Sequence, residues 1–316
     1  MRGDVFEIET DAAPAWVNLS RRGIRLLPRG RYPLMKWLCR TRVAPFDVSL
    51  GVTNDRIRFI CDLRDDIARE ACFMGYYEPQ ETALVRHLLR PGMCFVDVGA
   101  NWGYFTLLAA DLVGKHGRIL AIEPHPMLFS LLERNISKNM LPHVTALSVA
   151  VADREGEMNL AGFRDEDANS GTSRLTHAPS STVPNFRVAT RLLEPLLDEY
   201  GAREVDLIKI DIEGAEGLVL ATMSEGLRRA HYKHILLELH PAALAEQGTS
   251  PRAIIEHVLS FGYSAWRLDH SAEAFRRAAY NLPQSPQEFL SPLNLEAPFD
   301  VWPHVLLVAP DVSVSW

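Results

Sequence analysis

Two short stretches gather the groups that acid–base chemistry needs. In 207–217 (LIKIDIEGAEG) an apolar run gives way to Lys209, Asp211, Glu213 and Glu216, and in 236–241 (LLELHP) another ends in Glu238 and His240. Strand side chains alternate between faces, so Lys209 and Asp211 share one face while Ile208 and Ile210 take the other. Glu238 and His240 share a face by the same rule, just before Pro241. If the two strands are neighbours, a lysine, an aspartate, one or two glutamates and a histidine converge at their carboxyl ends. Such a set can take a proton from a bound hydroxyl. Asp211, Glu238 and His240 are the candidate bases, and histidine has the most suitable unperturbed pKa, whereas a carboxylate must be raised by burial. The same residues also fit a plain buried ion pair, Lys209 with Asp211 or with Glu238. Two or three of the oxygens plus waters would also suffice for Mg²⁺, the less favoured reading. Glu216 falls in the next helix's first turn, where the helix dipole suffices to explain it.

A second kind of site lies in 94–113 (CFVDVGANWGYFTLLAADLV), where a strand ending in Asp97 turns through Gly99-Ala100-Asn101-Trp102-Gly103 into a helix. Glycines there permit a tight turn and close approach of a ligand to the backbone. In open α/β sheets ligands bind outside the carboxyl ends of the strands. A GxGxxG fingerprint would need glycine where Asn101 and Tyr104 stand, which counts against a nicotinamide dinucleotide, and the GxxxxGK[ST] phosphate loop is absent. Twenty residues after Gly103, the strand in GRILAIEPHP ends in Glu123, placed to accept hydrogen bonds from both hydroxyls of a ribose; a solvated strand-end carboxylate is the simpler alternative.

The elements that must position these groups follow a strand–helix rhythm. Strands are expected at Cys94–Val98, Arg118–Ile122, Val144–Val151, Val205–Ile210, Ile235–Leu239, Tyr263–Leu268 and Val305–Val308. Helices are expected at Pro79–Arg90, Tyr104–Val113 and Pro126–Met140, after Gly214, and at Pro251–Ser260. Short apolar runs alternating with helices indicate a parallel sheet covered on both faces. Upstream, 46–61 alternates polar and apolar residues about a Thr-Asn-Asp turn and reads as a hairpin, and the first 45 residues read as short helices. Two long irregular stretches, Arg164–Asn185 and a Pro-rich stretch of some 30 residues (269–300), read as lids or binding loops where acceptor specificity resides.

Several motifs in order, DVGANWGYFT, AIEPHP, VAVADREGEMNL (149–160), LIKIDIEGAEGLVL and LLELHP, resemble the FkbM-type methyltransferases within the class I S-adenosylmethionine enzymes. The lead-in GYYEPQETALVRHLLRPG (75–92) is similar too, and the resemblance covers about residues 46–268. It implies a Rossmann-like α/β fold, a seven-stranded mostly parallel sheet over residues 79–316, with residues 1–78 as a basic extension and hairpin. It also implies that Asp97, Gly99, Asn101 and Gly103, with Ala100 and Tyr104 of the same turn, surround the methionine part of S-adenosylmethionine. Glu123, followed by Pro124, would hold the ribose, Val151 and Asp153 would contact the adenine, and Tyr77, Glu78 and Thr82 would close over the methionine end. The [DN]PP[YF] tetrapeptide of many nucleobase amino-methylating enzymes is missing and IDIEG stands in its place; the resemblance points to hydroxyls of sugars or polyketide-type metabolites.

Charge narrows the partners. The chain of 316 residues has net charge −7, yet Arg21, Arg22, Arg25, Arg29, Arg31, Lys36, Arg40 and Arg42 lie between Ala12 and Phe46 without one acid, leaving about −15 on the rest. A basic arm can face nucleic acid, an acidic glycan or a lipid headgroup; the plainer reading is an arm docked on its own acidic body or on a twin subunit, and 26–43 is a candidate dimer element. An acidic body argues against general nucleic-acid binding. The expected acceptor is a small molecule or carbohydrate; a nucleic-acid methyltransferase and a non-catalytic S-adenosylmethionine-binding scaffold are the alternatives. No run suits a membrane span, the first 20 residues lack signal-peptide order, and Cys39, Cys61, Cys72 and Cys94 form no metal or disulfide pattern, so a reducing cytoplasm is expected. The sequon Asn135-Ile136-Ser137 is discounted because it falls inside a helix.

Overall fold

The computed structural model describes residues 11–41, 43–163, 172–176, 179–278, 280, 285–299 and 303–313. Strand β1 (Asp11–Ala12) leads into α1 (Ala15–Leu26) and α2 (Arg31–Leu38), then β2 (Phe46–Ser49) and β3 (Arg58–Cys61), α3 (Asp66–Phe73) and α4 (Pro79–Leu88). The alternating part follows as β4 (Cys94–Val98), α5 (Tyr104–Val113), β5 (Arg118–Ile122), α6 (Pro126–Lys138) and β6 (Val144–Leu147). Next come β7 (Ala150–Val151), β8 (Gly156–Ala161), β9 (Arg174–Thr176), β10 (Asn185–Arg191) and α7 (Leu193–Glu199). The remainder is β11 (Leu207–Ile210), α8 (Glu216–Ala221), α9 (Ser224–Arg228), β12 (His234–Glu238), α10 (Pro241–Glu246), α11 (Pro251–Leu259), β13 (Ser264–Leu268), α12 (Ala272–Ala278), β14 (Leu290–Pro292) and β15 (His304–Val308).

The main sheet has the order β14-β13-β15-β12-β11-β4-β5-β6. The five strands β12-β11-β4-β5-β6 run parallel, and β15 is antiparallel to both β12 and β13. This is the Rossmann-like, mostly parallel sheet expected, with an eighth short strand, β14, added at the edge. The chain leaves β4 toward β5 and β6 on one side and returns to β11 and β12 on the other. The β4–β11 boundary is thus the point where strand order reverses, and such a crevice is where open α/β sheets bind ligands. Buried on both faces, β4, β5, β11 and β15 are apolar almost throughout, which is why they stand out as runs rather than alternations.

Two expectations are corrected. The run Val144–Val151 is not one strand: β6 pairs with β5, whereas β7 pairs with β10 in a separate four-stranded sheet of order β7-β10-β8-β9. Part of the supposed irregular loop is ordered in that sheet, with β9 paired to β8; 164–171 and 177–178 lie outside the described residues. The Pro-rich stretch carries α12 and β14, with 279, 281–284 and 300 outside the description.

The basic arm docks on its own chain. Arg21 is buried, its Nε donating to the Cys72 carbonyl at 2.9 Å and an Nη to the Ser49 carbonyl at 2.5 Å. Arg25 donates to the Phe73 and Cys72 carbonyls, and a Cβ on either Gly51 or Gly75 would lie 2.8 Å from its guanidinium. Arg42 lies outside the described residues, and Leu26 and Trp37 remain exposed on the arm. One apolar core holds Phe46, Phe59 and Phe73 together with Leu84, Phe95 and Leu107, so packing continues across residue 78 without a break. Asn135 of the sequon is fully buried; its Oδ1 accepts from Ile60 N and its Nδ2 donates to the Trp102 carbonyl, tying the hairpin to the glycine turn. Among the described residues, no helix is long and apolar enough to cross a membrane.

Candidate active site

The glycine turn is shaped by a close approach of two strand ends. Gly99 has φ +87°, and a Cβ there would lie 1.9 Å from the Asp211 carbonyl oxygen; only glycine lets the turn after β4 lie against the chain leaving β11. Asn101 follows at φ 51°, its Oδ1 accepting from Trp102 N. Beside the turn, both oxygens of Glu123 hold backbone: Oε2 accepts from Asn101 N and Oε1 from His125 N, each at 2.8 Å. Burial pushes the Glu123 carboxyl up to about 7, against the pull of those two N–H groups.

A cavity opens over these turns, with about 1070 Å³ of empty space when its open mouth is included. Of the expected cofactor residues, Tyr77, Glu78, Asp97, Gly99, Ala100, Asn101, Tyr104, Glu123, Pro124 and Val151 line it. Gly103, Thr82 and Asp153 do not. Gly103 packs on Leu132 and starts α5. Thr82 is buried behind the wall, donating to the Tyr77 carbonyl at 2.5 Å and sharing a 3.0 Å bond with the Tyr104 hydroxyl, so it positions both tyrosines. Asp153 is exposed on the turn between β7 and β8. Ile122, Leu128, Val149, Leu160 and Leu175 make the far end apolar. Leu160 and Leu175 come from the four-stranded sheet, whose polar, half-exposed strands hide it from a search for buried runs.

The opposite end is charged. Asp97 and Lys209 are register partners on β4 and β11, so they share a face. Lys209 Nζ bonds Asp211 Oδ2 at 2.8 Å and stands 5.0 Å from the Phe105 ring centre. Burial works against the ammonium, but Asp211, Glu78, Asp97 and Glu238 around it hold its pKa above the ordinary lysine value. Burial likewise opposes charge on Asp211, yet Lys209 and His240 keep it below the usual carboxylate range. Burial pushes Glu78 and Glu238 up, outweighing the pull of Lys209 on both; burial also pushes Asp97 up, although Thr106 Oγ1 donates to it at 2.6 Å. Glu213 is pushed up to about 7 by burial.

His240 is not the free base that its ordinary pKa suggests. Its Nδ1 lies 2.9 Å from Glu216 Oε1, and its Nε2 faces Glu213 at 3.4 Å and Glu238 at 3.7 Å. Burial disfavours its charge, but the Glu216 bond and the acids around it raise it to about 9. At neutral pH it is an imidazolium, and Glu216, which also accepts from Gly214 N, is its anchor rather than a solvated dipole partner. Asp211, Glu213 and His240 present ligand atoms within 4.8 Å of one another. The same atoms form an ion-pair network in which Glu216 holds His240 Nδ1 and turns Nε2 toward Glu213 and Glu238. One group escaped the sequence reading altogether: Glu81, His270 and His304, gathered behind Glu238.

The cavity fits S-adenosylmethionine part by part: an apolar slot for a flat base, a buried carboxylate able to accept from a diol, and a carboxyl-rich end for a cationic centre. Comparison with known proteins agrees. Over 189 residues the chain is 27% identical to the 2-O-methyltransferase NoeI of Sinorhizobium fredii, covering 56% of this chain and 76% of that one. It is 29% identical over 156 residues to the methyltransferase sdnD of Sordaria araneosa (41% and 60% coverage). It is 30% identical over 114 residues to protein-L-isoaspartate O-methyltransferase 1 of Arabidopsis thaliana (36% and 50%). The chain therefore spans between half and three fifths of the length of the last two relatives. Residues 97–265 match the methyltransferase FkbM domain, more than half of the sequence. The chain belongs to the FkbM methyltransferase family.

Proposed function

We propose that this protein methylates a hydroxyl group of a sugar or secondary metabolite, with S-adenosylmethionine as donor. When bound, that cofactor supplies an electrophilic sulfonium methyl; the protein's task is to orient the acceptor and remove its proton. The observation that carries the reading is Glu238, a pocket-wall carboxyl at the carboxyl end of β12, held among Lys209, Asp211 and His240. Of the three candidate bases, Asp211 is committed to Lys209 and His240 to Glu216, which leaves Glu238. A cationic ligand beside it favours its ionised form, so the base is armed when the pocket is filled. Orientation contributes roughly 7–11 kcal/mol and a placed base about 10²–10⁴-fold. Glu123 holds the ribose, and Tyr77 and Glu78 close the methionine end. NoeI, a 2-O-methyltransferase by name, supports the oxygen acceptor. Exposed Leu26 and Trp37 support pairing of two copies through the arm.

A methyl-donor assay against a panel of glycans and secondary metabolites, with and without chelator, tests this. Turnover of a hydroxyl compound that survives chelation and falls about 10²–10⁴-fold in Glu238→Gln is expected. Methylation confined to nucleic acid, weakening steeply with salt, would transfer the assignment there. Failure to bind S-adenosylhomocysteine at sub-millimolar concentration would leave a non-catalytic protein on this fold.

A further inference from the structure

Replacing O–H by O–CH₃ frees one proton, and once cofactor and acceptor fill the cavity mouth that proton needs another exit. We propose that Glu238, His304, Glu81 and His270 form a relay that carries the acceptor's proton from the pocket wall to the protein surface. The proposal rests on hydroxyl methylation as assigned above. His304 opens β15 and is the register partner of Glu238 on β12, so both side chains leave the same face of the sheet. Its Nε2 stands 3.7 Å from Glu238 Oε1, a gap that catalytic contacts close when substrate binds. Its Nδ1 lies 2.9 Å from Glu81 Oε1, and His270 Nε2 lies 2.6 Å from the same oxygen. Glu81 is 1% exposed and the His270 side chain 24% exposed, so the chain of contacts runs from interior to solvent.

The two imidazoles are stacked, their ring centres 3.8 Å apart with planes 13° from parallel, and each turns one nitrogen to the same Glu81 oxygen. Two imidazolium cations that close, on a single carboxylate, repel each other, so the trio holds one proton more readily than two. Glu81 Oε2 is buried without a hydrogen-bond partner, leaving an open acceptor for a passing proton. The transfer balances: the acceptor's proton goes to Glu238, then to His304 Nε2, while His304 Nδ1 yields its own through Glu81 to His270 Nε2. His270 releases one from its other nitrogen to water. Asp211, Glu78, Lys209 and His240 face Glu238, and Glu78 together with both histidines faces Glu81 and bears on its charge.

Two measurements test the relay. In ¹³C-histidine NMR from pH 5 to 9 on the full-length protein, Glu81→Gln should lower the His304 midpoint, because the carboxylate that favours its cation is gone. An unmoved His304 midpoint in the variant would overturn the proposal. With an acceptor from the panel, His270→Gln should lower kcat about tenfold or more, shift its pH profile, leave KM and S-adenosylhomocysteine affinity unchanged, and regain rate with added imidazole. Wild-type kcat in that variant, or a loss imidazole does not relieve, would also overturn it. Should that variant fail to fold, the His304 midpoint in Glu81→Gln decides alone. Binding of S-adenosylhomocysteine to the wild type reads the methyltransferase assignment separately, because it can fail while His304 still responds to Glu81 and hold while it does not.

Discussion

Lys209→Met isolates the charge that organises the pocket. Lys209 is buried, 2.8 Å from Asp211, and with the ammonium gone Asp211 faces Glu78, Asp97 and Glu238 with His240 as its nearby cation. A buried carboxylate that loses its partner escapes by taking a proton, which caps the damage. With an unfolded-state pKa of about 3.9 and about 1.4 kcal/mol per pH unit, neutralising Asp211 costs at most about 4 kcal/mol at pH 7 and about 1.5 kcal/mol at pH 5. The sign follows from linkage: the variant's folded pKa is raised, so the folded state holds the extra proton and stability falls as pH rises above the unfolded pKa. Asp211→Asn breaks the same bond but should cost less, about 1–2 kcal/mol, because Glu78, Asp97 and Glu238 still surround Lys209 and favour its charge. Urea unfolding of the wild type and both variants at pH 5, 6 and 7 measures this. A Lys209→Met penalty that is flat with pH, or an Asp211→Asn penalty as large at pH 7, would refute the reasoning.

Glu123→Ala should weaken S-adenosylhomocysteine binding by about 1.5–3 kcal/mol by calorimetry, and wild-type affinity should decline as pH drops below about 7, where Glu123 takes a proton; an unchanged dissociation constant removes the ribose assignment. Gly99→Ala drives a Cβ into the Asp211 carbonyl at φ +87°, so both cofactor binding and Tm should collapse, and a near-native Tm would show that the strand ends can part cheaply. Arg21→Ala strips the Ser49 and Cys72 carbonyls of a buried donor and should cost about 1–3 kcal/mol in urea unfolding. Native stability in that variant would mean that the arm is not docked as described.

The alternating core was legible because parallel strands buried on both faces must be apolar throughout. Cys94–Val98, Tyr104–Val113 and Arg118–Ile122 have the bounds expected from their residues. The four-stranded sheet was not legible: β8 and β10 mix exposed polar residues with buried ones, and β7 sits two residues beyond β6, so two sheets read as one strand. Lys209, Asp211 and Glu238 were visible as polar residues breaking apolar runs. His304 was not, because one histidine opening the run HVLLV resembles a strand flank. Glu81 and His270 meet across 189 positions, a pairing that no local spacing encodes. The shift of His240 from base to cation was likewise hidden, since it depends on Glu216 turning back from the next helix.

Among the described residues, seven that are not glycine have positive φ, and three of these, Glu78 (42°), Asn101 (51°) and Glu213 (54°), line the pocket. Each left-handed residue costs about 1–2 kcal/mol, and asparagine bears it best. Glycine would relieve Glu78 and Glu213, yet it would remove two carboxyls from the charged end. Both stand where a turn reverses the chain, Glu78 before Pro79 and Glu213 before Gly214, so the strained conformation is what turns each side chain inward. Packing elsewhere supplies the stability that these turns consume, which fits a pocket selected for where its carboxyls point.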